Sequence, residues 1–297
     1  DGGLYPEMLR NRSFEDSLLP EGCTTLDSGK TFVSPTGWID EFNNGEGMTD
    51  WVTNGKVKAT PVPAWYCDNA EMELDDTDTL NVNRKVSLKV SFRKNGSIRN
   101  IGYAGVPQEA GRSYHFYMFA KASERVKLEL SVIRTESVEG VNTTDGPVYG
   151  KQELSKASIE VNNPEWTRYD AVLSSAATTG TAEFVITAPD GGDVAFGFMS
   201  LMPSDTFMNH GLRKDLVMKL QEMKPAFLRF PGGCIVEGFT METAMFFRKT
   251  VGPVWERPSH WLLWHYRTTN GLGFHEYLQL CEDLNLQALY VCNCGMT

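Results

Sequence analysis

Cysteine, basic charge and long apolar runs are scarce in this sequence, and each scarcity removes a class of protein. Six cysteines in 297 residues are too few for a disulfide scaffold. Cys281, Cys292 and Cys294 stand where a packed core uses small apolar residues, whereas Cys23 and Cys67 fall in a loop-rich stretch and could pair in an oxidising compartment. Cys292-Asn293-Cys294 lacks the spacing of a tetrahedral zinc site and has no second pair nearby, so no metal or cofactor is expected. Lys and Arg total 28 against 38 Asp and Glu, a net charge of -10. That balance argues against nucleic acid, whose phosphates call for a basic face. No window approaches the ~20 uninterrupted apolar residues that a membrane-spanning helix needs, so no membrane partner is expected. The opening residues, Asp1-Gly2-Gly3-Leu4-Tyr5, carry neither an initiator methionine nor the regions of a signal peptide, and read as an internal or processed start.

What is present is enough apolar material, 41% of residues with 11% aromatic, to fill a substantial core. The stretch that organises it is Lys-Pro-Ala-Phe-Leu-Arg-Phe-Pro-Gly-Gly, residues 224–233. Leu212, Leu216, Val217, Leu220 and Met223 recur at helical spacing over residues 211–224, and Pro225 forbids continuation. Residues 226–230 then form an apolar run too short for a helix, ended by Pro231, Gly232 and Gly233. The unit repeats: Phe274, Tyr277, Leu278, Cys281 and Leu284 predict a second helix, and residues 287–292 a second apolar strand. Nearly all-apolar strands fed by helices belong to a parallel sheet covered on its faces, in an α/β barrel or doubly wound sheet.

Earlier in the chain the texture differs. Residues 5–14 read as one amphipathic helix, with Leu4, Met8 and Leu9 on one face, Arg10 and Arg12 on the other, and Pro6 in the first turn. From residue 22 to about 78, Gly, Pro, Asn and Asp mix with isolated aromatics, as in loop with short strands. From 87 to 202 the alternation has period two, in segments 87–92, 114–119, 127–132, 166–173, 182–187 and 194–201. Turns at 109–112, 145–147 and 190–192 separate several of them. This pattern predicts an antiparallel β-sandwich, in the form of a jelly roll. The expected fold class is therefore α+β multidomain: a first helix over 1–15, a β-sandwich over 16–203, and αβ units over 204–297.

Arg229 sits inside an otherwise apolar strand, where an unpaired charge is costly; at the carboxyl end of a barrel strand it reaches the mouth where active sites are built. A structural salt bridge is the bland alternative. The connection from 234 to 272 is long for its place, and long loops of this kind are functional or disordered. Phe246, Phe247, Trp255, Trp261, Trp264 and Tyr266 argue for order, and suit either sugar faces or a small satellite core. Glu237, Glu256 and Glu276 do not directly follow a strand end, so each reads as solvated or salt-bridged. The acidic run 71–78 lacks the spaced loop of a calcium motif and reads as a solvated turn.

With these residues in view the sequence resembles glycoside hydrolase family 51, the α-L-arabinofuranosidases, in the long form with a carbohydrate-binding-module-like sandwich near the start. The resembling segments are Asp1-Gly2-Gly3-Leu4-Tyr5 with Arg10-Asn11-Arg12-Ser13-Phe14-Glu15, and Phe227 through Gly238. Val251-Gly252-Pro253 with Glu256-Arg257-Pro258, and Gly271-Leu272-Gly273-Phe274-His275-Glu276-Tyr277, continue them in family order. The resemblance implies a retaining exo-hydrolase on an (α/β)8 TIM barrel, with one glutamate as nucleophile and another as acid/base. In family members the acid/base follows an Asn on the fourth strand and the nucleophile ends the seventh. Thr297 falls just after what corresponds to the third strand, so neither catalytic residue is expected here. About 95 residues follow the sandwich, against roughly 250 in a whole barrel, and the chain reads as an enzyme fragment with a truncated TIM barrel, inactive by itself. Arg229, Cys234 and Trp264 match sugar-contacting positions, and the implied partner is an arabinofuranosyl-containing polysaccharide or oligosaccharide, met in a secreted or periplasmic setting.

Two other readings compete. The chain could be a carbohydrate-binding module with a vestigial αβ tail, stacking polysaccharide on Trp38, Trp51, Trp65 and Tyr66; the absence of a linker after the sandwich weighs against it. Another barrel glycosidase, such as an endoglucanase, is disfavoured by the Gly-Gly-Cys and Val-Gly-Pro matches.

Overall fold

The computed structural model describes residues 3–26, 31–34, 37, 39–41, 62–134, 137–143, 146–149, 152–238, 240–264 and 266–294. Trp38, Trp51 and Asp145 lie outside these residues. In chain order the strands are β1 (Thr24–Leu26), β2 (Thr31–Val33), β3 (Ile39–Glu41), β4 (Trp65–Asp75), β5 (Ser87–Asn100), β6 (Ser113–Lys121), β7 (Val126–Arg134), β8 (Ser137–Thr143) and β9 (Gly146–Tyr149). They continue as β10 (Gln152–Val161), β11 (Thr167–Ser174), β12 (Ala182–Ala188), β13 (Gly192–Pro203), β14 (Phe227–Phe230), β15 (His260–Leu262), β16 (Tyr266–Thr268) and β17 (Gln287–Tyr290). The α-helices are α1 (Lys214–Met223), α2 (Cys234–Glu237) and α3 (Phe274–Asp283).

The period-two segments form antiparallel strands, as their alternation predicts, but in one continuous sheet of eight. Its order is β10-β7-β12-β5-β13-β6-β11, with β4 beside β5, and it curls until β10 and β11 lie against each other. The element that makes the curl is β5, whose first half pairs with β13 and whose second half pairs with β12. Between the halves the chain bends at Asn95, which takes a positive φ of 59°. A Cβ on Gly96 would lie 2.3 Å from the Asn69 carbonyl oxygen, so only glycine allows that crossing. The residues pointing inward from both walls, among them Leu88, Phe116, Leu130, Phe184 and Phe196, are fully buried and form the main core.

The first segment is not a helix. Residues 3–16 form turns and an extended stretch, which runs beside the end of β13: the Met8 amide donates to the Leu201 carbonyl at 3.0 Å, and the Met199 amide to the Arg12 carbonyl at 3.0 Å. Beyond Phe196 β13 no longer pairs with β5, and this strap takes the vacant edge. Its apolar residues do not share one face. Leu9 and Met8 pack into the sheet core while Leu4 and Tyr5 pack with the αβ part, so period-3.6 spacing misassigns them. Arg10 and Arg12, expected on an outer face, are both buried.

Burying Arg12 is possible because the strap brings its partners along. Glu7 holds the guanidinium at 2.6 Å, and its other contacts come from the Ser200 hydroxyl at 2.6 Å and the amides of Leu9 and Leu201 at 2.9 and 3.0 Å. Arg12 also donates to the Thr269 hydroxyl at 3.0 and 2.8 Å, and its plane lies between the rings of Tyr5 and Phe198. A buried pair is stable only when the remaining lone pairs and donors are satisfied, and removing one partner strands the other. Arg12→Met should therefore cost about 3–5 kcal/mol in urea unfolding, whereas Arg93→Met, which removes the exposed pair with Glu71, should leave the midpoint within error. Equal effects of the two substitutions would contradict this account of the strap.

Candidate functional site

The site is built on the parallel pair β14 and β17, in register Phe227 with Gln287 through Phe230 with Tyr290. α1 precedes β14 and ends at Lys224 in the left-handed conformation; α3 precedes β17 and ends before Asn285, also left-handed. Both helices and both strands match the spacing read from the sequence. One face of the strand pair is held down by aromatic rings: Phe230 stacks on Tyr277 at 4.8 Å, and Phe274 meets Tyr290 edge-on at 5.0 Å. The opposite face carries Phe227 and Arg229, both exposed, beside the half-exposed Leu289. The expected cover on both faces is thus present on one only.

At the carboxyl end of β14 a cis Phe230–Pro231 bond leads into Gly232, whose φ of 121° demands glycine. A Cβ at Gly232 or Gly233 would meet no atom within 4 Å, so the backbone there stands beside open space. Gly233 opens into the single turn of α2, whose first residue is Cys234, exposed as a free thiol. Val291 donates to the Phe230 carbonyl at 2.7 Å, and the Asn293 side chain to the Val236 carbonyl at 3.2 Å. These two bonds gather Arg229, Cys234 and the end of β17 at one rim. Cys292 and Cys294 are exposed there, not packed in a core, because no described residue covers that end of the strand. Cys23 and Cys67 are both free thiols.

Trp264 stands on a different element, the β15–β16 hairpin, and is 53% exposed. The hairpin is anchored through Arg267, which pairs with Glu21 and donates to the Leu18 and Leu19 carbonyls at 3.2 and 2.9 Å. The other aromatics of the long loop divide. Trp261 is buried in a small satellite core with Leu19 and Cys23, while Phe246 and Phe247 stay near 41–42% exposed. Trp255 leaves the loop and lands on the outer face of the large sheet, 5.8 Å from Tyr117 and 5.1 Å from Phe119, with Arg168 over it. The side chains of Asn81 and Asn83 donate to the Trp255 and Glu256 carbonyls at 3.0 and 2.5 Å, fixing the landing. Trp65, counted among exposed aromatics from sequence, is fully buried and donates to the Asn11 carbonyl at 3.0 Å. Tyr66 is half-buried with Arg99 over its ring.

Among the carboxylates, Glu237 and Glu256 are exposed. Glu276 accepts two hydrogen bonds from buried Arg257, at 3.0 and 2.6 Å, and caps Gly273 at 2.9 Å. Arg257 also receives Arg84 at its carbonyl, and Arg84 pairs with Glu15 at 3.0 Å. A relay thus runs from the strap, through the connection between β4 and β5, to the loop and α3. Sequence spacing does not reveal it, although Arg257 and Glu276 both fall in the segments that carry the family resemblance. In the acidic run, Glu71 pairs with Arg93, Asp75 with Lys89 and Asp78 with Lys121.

The β14–β17 pair, each strand fed by a helix, is thus a parallel αβ arrangement with a glycine turn at its carboxyl rim. Residues 219–297 match the family model described as the alpha-L-arabinofuranosidase 1 domain. Alpha-L-arabinofuranosidase 1 of Arabidopsis thaliana is 32% identical over 67% of this chain and 28% of its own length. The extracellular exo-alpha-L-arabinofuranosidase of Streptomyces chartreusis is 28% identical over 98% of this chain and 30% of its own. The structure of an arabinose-bound MgGH51 α-L-arabinofuranosidase superposes with a TM-score of 0.72 at 25% identity, over 98% of this chain and 41% of that one. By sequence and fold the chain belongs to the glycoside hydrolase family 51 α-L-arabinofuranosidases. It spans less than half the length of each of these relatives.

The hairpin that carries Trp264 has a built-in acid sensitivity. His260 is buried in β15, with Nδ1 3.2 Å from the Asn270 amide, and burial, then the nearby Arg267 and Lys249 charges, push its pKa down to about 3. The folded state therefore refuses a proton that the unfolded chain accepts below about pH 6.5, and stability is lost as pH falls from there toward 3. Asp16 acts oppositely: burial first raises its pKa to about 6, so its charge penalty is relieved as pH falls through 6 toward 4. His260→Gln should flatten the acid-side loss in thermal unfolding between pH 6.5 and 4, and Asp16→Asn should steepen it. Parallel pH profiles for wild type and His260→Gln would refute the assignment.

Proposed function

We propose that the chain is part of a retaining, exo-acting α-L-arabinofuranosidase that removes terminal arabinofuranosyl groups from arabinoxylan, arabinan or related hemicellulose in a secreted or periplasmic setting. The observation that carries this reading is the rim at β14, where the exposed Arg229 stands beside an open Gly-Gly turn on a chain whose relatives are arabinofuranosidases. In this reading residues 204–297 are part of an (α/β)8 barrel, residues 16–203 a jelly-roll module resembling carbohydrate-binding modules, and residues 1–15 a first segment associated with the barrel, of which 3–15 belong to the strap.

Arg229, Cys234 and Trp264 would share one cleft around the sugar. Arg229 presents fixed donors to a carboxylate or hydroxyl, and in the whole enzyme it would help keep the nucleophilic glutamate ionised. Cys234 is small enough to admit the ring beside the turn, and Trp264 would supply an apolar wall. The retaining reaction uses two carboxyl groups about 5–5.5 Å apart. One attacks the anomeric carbon while the other protonates the departing oxygen; the second then takes a proton from the water that releases the sugar. Glu276 is committed to Arg257 and to capping α3, so the reading assigns both reacting carboxylates to the whole protein outside these 297 residues.

The alternative of a stand-alone polysaccharide-binding sheet has less support. The aromatic patch of Tyr117 and Phe119 on the outer face of the sheet is occupied by Trp255, and Trp65 belongs to the core.

In the whole enzyme, Arg229→Ala should lower kcat by on the order of 10²–10³, the usual effect of deleting a donor aimed at developing charge. Trp264→Ala should mainly raise KM, because a wall binds ground and transition states alike. Steady-state kinetics on an aryl arabinofuranoside measure both, and the opposite split would overturn the roles. The isolated 297-residue chain should show no turnover; activity abolished by a single Glu237 or Glu256 substitution would contradict that.

A further inference from the structure

The long loop after α2 meets the β14 rim at Phe247–Thr250 and, a few residues later, lands on the large sheet at Trp255. At the rim end the Phe247 ring lies 5.2 Å from Phe274 and 6.4 Å from Tyr290, the last residue of β17. It shares a small crevice with Pro231, which leads into the Gly-Gly turn. The Thr250 hydroxyl accepts a hydrogen bond from the Phe274 amide at 2.9 Å and donates to the Phe247 carbonyl at 2.8 Å. Between rim and sheet, Arg257 ties the segment to itself by donating to the Gly252 carbonyl at 2.9 Å. A segment this short and pinned at both ends passes a shift at Trp255 on to Phe247 and Thr250.

The pin at the sheet end is built from side chains that the fold of the sheet does not need. Arg168 and Asp170 stand two positions apart on β11, hence on the same face of the strand, and both are exposed on the side away from the main core. Asp170 grips the edge of the guanidinium, accepting from Nε at 3.0 Å and from Nη2 at 2.7 Å, and His115 reaches the same carboxylate at 2.9 Å. An exposed ion pair contributes little stability, but a two-pronged one fixes orientation. Here it sets the guanidinium 4.4 Å from the Tyr117 ring centroid and 5.2 Å from that of Trp255, so that one planar cation covers both rings. The Trp255 ring also meets Tyr117 edge-on at 5.8 Å. A clamp aimed at a loop residue, on a strand whose own inward contact is made by the fully buried Leu173, has its effect where the loop goes.

We propose that Arg168 is a positioning residue for the reaction of the whole enzyme: by clamping Trp255 onto Tyr117 it fixes the 247–257 segment beside the β14 rim. This rests on the arabinofuranosidase reading above. Arg168 itself meets no sugar in this account; it acts through Trp255. Misplacing groups around a reacting centre by about 1 Å can cost on the order of 100-fold in rate. The loss falls on kcat, because the segment borders the turn beside Arg229, whose assigned role is in turnover.

Steady-state kinetics of the whole enzyme on an aryl arabinofuranoside, together with hydrogen exchange of the 297-residue chain, test it. Arg168→Ala should lower kcat about tenfold and leave KM within about twofold. Trp255→Ala should do at least as much, and the double variant should be no worse than Trp255→Ala alone, since one residue acts through the other. Trp255→Phe, which returns a ring to the patch, should keep most of kcat, and Arg93→Ala, elsewhere on the sheet, should match wild type. In the chain, Arg168→Ala should speed exchange at the amides of 247–257 and leave β7 unchanged. Wild-type kcat in Arg168→Ala, a rise in KM alone, independent losses that multiply in the double variant, or unchanged exchange at 247–257 would each overturn the proposal and leave the proposed function standing. No turnover of arabinofuranosides by the wild-type whole enzyme would overturn the proposed function instead, and the exchange comparison would still decide whether Arg168 holds the loop.

Discussion

The ion pair between Glu7 and Arg12 is the constraint on which the rest of this structure depends. Two opposite charges in a core are tolerable only when every remaining donor and acceptor is matched. Here the matches come from β13, through Ser200 and Leu201, and from the segment after β16, through Thr269. The strap between the large sheet and the αβ units is therefore not a passive connection. Its geometry is set by a network that closes only when both sides are in place.

The same logic gives the large sheet a role. Its outer face receives Trp255; Arg84, in the connection between β4 and β5, joins Glu15 to the Arg257 carbonyl, and Arg257 in turn holds Glu276 at the start of α3. The loop over the β14 rim is thus supported from the sheet side at Trp255 and Arg257 and from the strap side at Arg267. Loops that carry function are positioned by rigid scaffolds, and the sheet serves as scaffold whether or not it also meets carbohydrate.

Much of this was legible in the sequence, and the misses have physical causes. The helix–strand units were readable because a helix with one buried stripe and a short apolar strand have distinct periods, and because Pro225 and Asn285 punctuate them. The antiparallel strands were readable from alternation, but closure of the sheet was not, since the crossing at Gly96 depends on a contact with Asn69. The first segment misled because periodicity assumes one core; Leu4 and Leu9 are spaced for a helix yet belong to different cores. Arg229 was found because a charge in an apolar strand is anomalous. Arg257, Arg84 and Glu15 were not, because a charge next to Pro or in a loop is ordinary, and their significance lies in partners 69 to 173 positions away. Trp255 could not be sorted from its neighbours, as landing on Tyr117 and Phe119 is a tertiary fact.

The central claim is that sheet, strap and loop form one cooperative unit. Native-state hydrogen exchange, read peptide by peptide across a urea series, tests it most directly. The account predicts that amides of β7, of the strap and of α3 merge into one global opening, and that Arg84→Met separates α3 and the loop from β7. If α3 and the loop already open independently of the sheet in the wild-type chain, with β7 still protected, the account is contradicted.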